Sequence, residues 1–87
     1  MQFIHSRGYL NAGDTVRLDC DTQCNFMLMT DSDFASYQRG GRFHYFGGHF
    51  ARFPAFITAA HADNWNIAID LGGGGANIRY NLSVLRG

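Results

Sequence analysis

Cysteine and histidine carry the most reactive side chains in this chain, and their spacing does not complete a chemical site. Cys20 and Cys24 flank the segment CDTQC. Cysteine pairs at such spacing occur in zinc sites, but those sites need four ligands. The four histidines show no HxH or HxxxH pattern that would supply the rest: they are His5, His44, His49 and His61. The main prediction is therefore free structural thiols and no metal site, with a disulfide or a bound metal as the alternatives.

Other patterns associated with catalysis are also incomplete. The glycine-rich segment 71–76, LGGGGA, lacks the Lys-Ser/Thr pair of a phosphate-binding P-loop. No serine lies in a nucleophile-elbow pattern. The chain contains no glutamate, and no two aspartates are flanked by apolar positions as a carboxylate with a tuned pKa would be. The sequence therefore predicts a protein that is not an enzyme and that has no catalytic residues and no cofactor.

Aromatic and cationic residues concentrate in segment 42–53, RFHYFGGHFARF, which contains no acidic residue. Aromatic side chains and arginine are enriched at the centres of protein interfaces. We therefore predict a contact surface for a protein partner or a second copy, formed by Tyr37, Arg39, Arg42, His44, Tyr45, Phe46, His49, Phe50 and Arg52. As an alternative, the same rings could stack on single-stranded nucleic acid or on a small molecule. The formal net charge of zero argues against nucleic acid, because phosphate contacts dominate such affinity.

The charged residues are segregated along the chain. Residues 14–33 contain five aspartates and only one arginine, whereas residues 39–52 contain three arginines and no acid. The simpler interpretation is that the two segments neutralise each other across the fold. The alternative is a polar surface that docks a partner or a second copy.

Two-residue alternation of apolar side chains predicts most of the secondary structure. Strands are predicted over 3–10, 15–20, 25–30, 55–59, 64–71 and 76–85, the last two as a hairpin across Gly72–Gly75. Segment 42–53 is either a strand pair turning at Gly47-Gly48 or one long strand with a bulge or a close backbone approach there. Residues 31–39 offer N-capping side chains, place Phe34 and Tyr37 on one face, and end at Gly40-Gly41, so they predict a short helix.

The predicted fold is all-β: a small antiparallel β-sandwich, jelly-roll-like or a partly open barrel, of about seven strands with one short helix near residues 31–39. Its 87 residues suit a single domain spanning 1–87. No stretch approaches the ~20 apolar residues of a membrane span, so no membrane association is expected. The first residues lack the apolar run of a signal peptide, and a cytoplasmic location is therefore expected.

Two blocks of the chain resemble a small bacterial family of unknown function. The blocks are DSDFASYQRGGRFHYFGGHF, residues 31–50, and WNIAIDLGG, residues 65–73; the opening FIH and the turn LNAGDTV are similar as well. Members of that family occur as stand-alone domains and fused to TIR domains. The resemblance implies a compact β-sandwich without an established activity, and it supplies no catalytic residues. The segment CDTQC departs from it, so any role of those thiols would be particular to this chain.

Overall fold

The computed structural model describes residues 3–70 and 78–87, which form seven strands and one helix. In chain order these elements are β1 (Phe3–Leu10), β2 (Thr15–Cys20), β3 (Cys24–Thr30), α1 (Asp31–Gln38), β4 (Phe46–Phe50), β5 (Ala55–Thr58), β6 (Asp63–Asp70) and β7 (Tyr80–Leu85). The predicted all-β class and the short helix are therefore confirmed. α1, the helix within these ranges, is too short and too polar to cross a membrane.

The strands form two antiparallel sheets that pack face to face. One sheet has the order β1-β6-β3-β4 and the other has the order β5-β2-β7. β6 pairs along its whole length with β1, from Asp70 opposite Phe3 to Asp63 opposite Leu10. The two sheets do not close into a barrel, so the sandwich alternative of the prediction is the one observed.

The space between the sheets holds the main hydrophobic core. Alternation along β2 turns Val16 and Leu18 inward, and both are fully buried. They belong to one apolar cluster with inward residues of the facing sheet, which include Phe26, Trp65 and Ile69. Burying a side chain of this size contributes about 1.5–3 kcal/mol relative to leaving it in water, so this cluster is the main source of stability.

A second, smaller core lies on the outer face of the four-stranded sheet, under α1. Phe34 and Tyr37 of the helix are buried there against Met27, Met29 and Ala68 of the sheet. Thr30 caps the helix by accepting a hydrogen bond from the Asp33 N–H through its hydroxyl. The inner strands β3 and β6 are consequently buried on both faces, which explains the nearly continuous apolar run of β3.

One predicted pairing is wrong. β6 and β7 do not form a hairpin, because β6 lies between β1 and β3 in the four-stranded sheet while β7 pairs with β2 in the other sheet. The physical reason is that β6 is buried on both faces and therefore takes the centre of the larger sheet. The glycine loop at 72–75 and the predicted strand start at 76–77 lie outside the described residues.

Gly47 and Gly48 lie inside β4 and not in a hairpin turn. Their φ angles are +112° and +147°, and both pair with residues of β3 in an antiparallel register. The interpretation of a single distorted strand is therefore the one observed, and residues 42–45 approach it as irregular chain. Pro54, after a cis peptide bond, immediately precedes β5.

Candidate binding surface

The chain leaves α1 and reaches β4 through a short irregular segment that the end of the helix positions. Gly40 adopts a φ of +75°, and its N–H donates to the Tyr37 carbonyl oxygen. The Phe43 ring then packs against the Tyr37 ring at a centroid distance of 5.0 Å. Phe43 is therefore an anchor that fixes the approach to β4, and the residues on either side of it are exposed.

The aromatic side chains of segment 42–53 divide into packed and exposed groups. Phe50 contacts Phe26 at a ring-centroid distance of 5.8 Å, and Phe53 packs against the inter-sheet core. In contrast, Tyr45 is 48% exposed, and Phe46 is 45% exposed although its edge meets the Trp65 ring. Only some of the aromatic side chains of the segment are therefore packed in the core, and the others are exposed to solvent.

Seven of the nine predicted contact residues are exposed. They are Arg39, Arg42, His44, Tyr45, Phe46, His49 and Arg52, and we call them the aromatic–arginine surface. The other two, Tyr37 and Phe50, are less exposed. Tyr37 is 5% exposed and belongs to the core under α1, where its hydroxyl donates to Asp70 Oδ2 at 3.0 Å, and Phe50 is half-buried. Burial and this hydrogen bond raise the pKa of Tyr37 to about 12.

The surface arginines lack carboxylate partners within the described ranges. Arg39 Nη2 donates to Ser36 Oγ at 3.4 Å, and the described ion pairs do not involve Arg39, Arg42 or Arg52. The two charge-segregated segments therefore do not neutralise each other through ion pairs, contrary to the simpler prediction. Aspartates of segment 14–33 pair with arginines from outside segment 39–52 instead, as shown by Arg86 on Asp14 and Arg7 on Asp31.

A polar network at the N-terminus of α1 escaped the sequence prediction. Arg7 binds Asp31 through two hydrogen bonds of 2.9 and 2.8 Å, and Asn66 Nδ2 donates to Asp31 Oδ1 at 2.7 Å. His5 Nε2 donates to Asn66 Oδ1 at 2.8 Å, while its ring stacks on Phe34. Arg7 first, and then Asn66, hold the pKa of Asp31 well below its usual range. The available signal was the polar residue Asn66 in the middle of a strongly apolar strand.

A second unpredicted polar site lies at the end of β7. The Asp14 carboxylate is buried and accepts hydrogen bonds from the N–H groups of Gly87 and Asn11 and from Arg86 Nη1. In that order these three donors lower the pKa of Asp14. The turn NAGD gave the local signal, since Asp commonly bonds a nearby backbone N–H in turns. The long-range partners, however, are brought there only by the pairing of β7 with β2. Both networks connect distant parts of the chain and thereby stabilise the fold. Neither contains a residue of the aromatic–arginine surface.

The two cysteines are free, in agreement with the main prediction. Cys24 is buried at the start of β3, and Cys20 is half-buried at the end of β2. Burial, together with the neighbouring Cys20 thiol, raises the pKa of Cys24 to about 11. Residues 3–70 and 78–87 contain no cluster of three or more His, Cys or Asp side chains suited to a metal ion.

A groove opens at the edge of the sandwich opposite β4. It has a volume of about 310 Å³ and lies between β1 and β7, with Trp65 and Ile67 among the residues that line it. β1 and β4 are the two outer strands of the four-stranded sheet. None of the residues that line the groove belongs to segment 42–53, although Trp65 both lines the groove and contacts the Phe46 ring. The structure therefore does not join this groove and the exposed aromatic residues into one ligand pocket.

These features define a two-sheet β-sandwich with exposed aromatic and cationic side chains in the outer strand β4 and in the chain segments before and after it. The chain belongs to a family described as a domain of unknown function, DUF1883, whose family model matches residues 1–86. Comparisons with curated proteins and with solved structures give no match.

Proposed function

We propose that this domain is a non-enzymatic binding module whose contact surface is the aromatic–arginine surface, and that its partner is a protein or a second copy of the chain. The observation that carries the proposal is that Tyr45 and Phe46 remain about half exposed while neighbouring aromatic residues pack inside. Arg42 and Arg52 flank them in sequence without a carboxylate partner in the described chain. Aromatic residues and arginine are the types that dominate binding energy at interfaces.

The exposed area of these two rings is large enough to matter for affinity. An aromatic side chain buries about 150–250 Å² when it is fully covered, so covering the exposed half removes roughly 100 Å² from water. At about 25 cal/mol per Å², each ring would contribute on the order of 2 kcal/mol to binding. These two rings, and the arginines near them in sequence, are of the residue types that carry most of the binding energy at interface centres.

The test compares variants of exposed tyrosines on different faces. Tyr45→Ser removes a ring of the aromatic–arginine surface, and Tyr9→Ser removes a ring of β1 that is 55% exposed. The oligomeric state is measured by light scattering, and partners captured from lysate are identified and reconstituted with purified protein. We expect Tyr45→Ser to weaken the reconstituted complex or self-association at least about tenfold, and Tyr9→Ser to leave it unchanged. A strictly monomeric protein without a reconstituted partner, or equal loss in both variants, would contradict the proposal.

The same exposed rings support a second candidate, binding of single-stranded nucleic acid. Base stacking on Tyr45 or Phe46 next to arginine is a common arrangement in single-strand binding proteins. A fluorescent oligothymidine would report it by anisotropy at low and high salt. Binding that weakens steeply with salt and depends on Tyr45 would favour this candidate. Absence of binding at low salt would exclude nucleic acid as the ligand.

The cellular context that we propose follows from the family resemblance alone. The resemblance to bacterial domains found singly and fused to TIR domains supports an interaction or sensing role in the cytoplasm. In a fused protein, a module of this kind would bind a partner and bring it to the TIR domain. The module itself would not catalyse a reaction. Co-purification with the partner from the cytosolic fraction is the expected result, and recovery only in the membrane fraction would contradict it.

A further inference from the structure

We infer that the occupant of the aromatic–arginine surface is an extended acidic segment of a different protein, rich in Asp or Glu. This inference rests on the proposed function and names the chemistry of the partner. Its first support is the charge of the surface. No acidic residue lies between Asp33 and Asp63 in the sequence. We call Arg39, Arg42 and Arg52 the cationic strip. The Asp33 carboxylate that reaches this surface accepts a hydrogen bond from the His44 N–H, and none of the described ion pairs involves the three arginines.

The second support is the state of the aspartates elsewhere in the molecule. Each of the seven already has a partner in the described structure: Asp14, Asp19, Asp21, Asp31, Asp33, Asp63 and Asp70. In self-association, a surface arginine would have to share a carboxylate that already has a partner in its own chain. A foreign carboxylate meets no such competition, so charge complementarity favours a different protein over a second copy.

The third support is the shape of the strip. Tyr45 and Arg52 flank β4 in the chain, and at about 3.3 Å per residue they are on the order of 20 Å apart along it. A small anion cannot reach both, whereas an extended peptide can. The positive φ angles of Gly47 and Gly48 distort this outer strand. Distorted edges resist regular pairing with another strand, so recognition would proceed mainly through side chains.

The number of free arginines separates an acidic peptide from nucleic acid. Nucleic-acid affinity comes mainly from neutralised phosphates and increases with the number of phosphates that the protein contacts. Three arginines on a chain of zero net charge are too few for strong binding through phosphate contacts. They are enough to orient an acidic peptide whose apolar side chains cover Tyr45 and Phe46.

Fluorescence anisotropy on the full chain tests the inference with defined probes. The acidic probe is a labelled peptide of about twelve residues with repeats of Glu-Leu-Glu-Gly, long enough to follow the strip when extended. The matched probes replace Glu by Gln or by Lys, and an oligothymidine of similar charge is the fourth. We expect the acidic peptide to bind at least about tenfold more tightly than the Gln peptide at about 20 mM salt, and to weaken as salt increases.

Arginine variants locate the binding site. Arg42→Gln and Arg52→Gln should each weaken binding of the acidic peptide roughly twofold to fivefold, as expected for exposed ion pairs. Arg79→Gln is the matched control, because it removes one positive charge from an exposed arginine outside the strip, and it should leave binding unchanged. Thermal unfolding of each variant shows whether the fold is retained.

Several results would overturn the inference while leaving the proposed function intact. One is equal binding of the Glu and Gln peptides, and another is equal loss in Arg79→Gln and Arg42→Gln. A third is absence of acidic-peptide binding while a reconstituted protein partner is still lost in Tyr45→Ser. Tighter, Tyr45-dependent binding of oligothymidine would instead assign the surface to nucleic acid and overturn both proposals.

Discussion

At Gly47, β4 lies close to the opposite sheet, and substitution of this glycine by alanine is a sharp test of the fold. A Cβ built at Gly47 meets the Phe26 carbonyl oxygen of the paired strand and lies 2.7 Å from Cδ1 of Ile57 in β5. The φ angle of +112° is also one that residues with a side chain rarely adopt. The substitution therefore introduces both a backbone clash and backbone strain.

The expected cost has two parts. Forcing a non-glycine residue into this φ region costs about 1–3 kcal/mol. Overfilling a packed site costs about 1–3 kcal/mol more, and here one of the colliding atoms belongs to the backbone and cannot rotate away. Gly47→Ala should thus lower the free energy of unfolding by about 2–6 kcal/mol. A domain of this length has a total stability of roughly 4–13 kcal/mol, so the variant should lose a large share of it.

Two other glycines provide matched controls. Gly48 has a φ of +147°, but a methyl group at this position would have no atom within 4 Å. Gly48→Ala should therefore cost only the free energy of backbone strain, about 1–3 kcal/mol. Gly8 in β1 has neither a positive φ nor a close neighbour, so Gly8→Ala should be neutral or slightly stabilising. Equilibrium unfolding in urea, followed by tryptophan fluorescence of the buried Trp65, measures all three free energies.

A double variant separates the clash from the strain. Ile57→Val removes Cδ1 and by itself costs about 0.5–1.5 kcal/mol. Combined with Gly47→Ala, it should cost less than the sum of the two single variants, because the shortened side chain relieves part of the clash. Equal destabilisation by Gly47→Ala and Gly48→Ala, together with additivity in the double variant, would refute the close approach of β4 and β5.

Further predictions concern titrating groups. Hydrogen bonds from the Gly87 and Asn11 N–H groups and from Arg86 hold the pKa of Asp14 below 3.8, so its stabilisation is complete above that pH and is lost as pH falls through the lower folded pKa. Asp14→Asn should therefore flatten the acid limb of a plot of unfolding free energy against pH, and an unchanged limb would contradict this. Burial and the bond to Asp70 raise the pKa of Tyr37 from 10.0 to about 12, so its stabilisation is complete below pH 10 and is lost as pH rises through about 12. Tyr37→Phe should flatten the alkaline limb in urea titrations, and a limb as steep as in the wild type would argue against it. With a pKa of about 11, only about one in a thousand Cys24 thiols is ionised at about pH 8. Iodoacetamide should therefore label native protein at Cys20 first in mass spectra, and equal labelling of both cysteines would exclude this protection.

Local patterns predicted the elements well because each element has a strong periodicity of its own. The boundaries of β1 and β2 agree with the alternation read along residues 3–10 and 15–20. The helix was predictable because Thr30 and the first-turn aspartates suit a helix N-terminus, while Gly40 suits its end. These signals act over a few residues, so they do not depend on what the rest of the chain does.

Strand pairing was less predictable, and β6 shows why. Two-residue alternation along β6 places Trp65 and Ile67 on one face and Asn66 on the other, a pattern typical of a strand with one buried face. In the structure Asn66 is only 1% exposed, because α1 and the polar network of His5 and Asp31 cover that face as well. A strand buried on both faces takes the centre of a sheet, and so the hairpin with β7 gave way to pairing with β1 and β3.

The contact surface was predicted in composition but not in detail. Sequence placed Tyr37 and Tyr45 in the same group, since both are aromatic residues near arginine. The structure buries Tyr37 against Phe43 and leaves Tyr45 in solvent. Exposure depends on which groups arrive from distant parts of the chain, and no local pattern contains that information.

The sequence by itself determined where strands and a helix form, and it determined that residues 34–62 carry positive charge without acid. Only the tertiary structure decided which sheet each strand joins, which rings are left exposed, and which aspartates are already paired. The physical reason is range: propensity and capping act between near neighbours in the chain, whereas burial and ion pairing depend on contacts such as Asp14 with Arg86, which only the folded sandwich brings together.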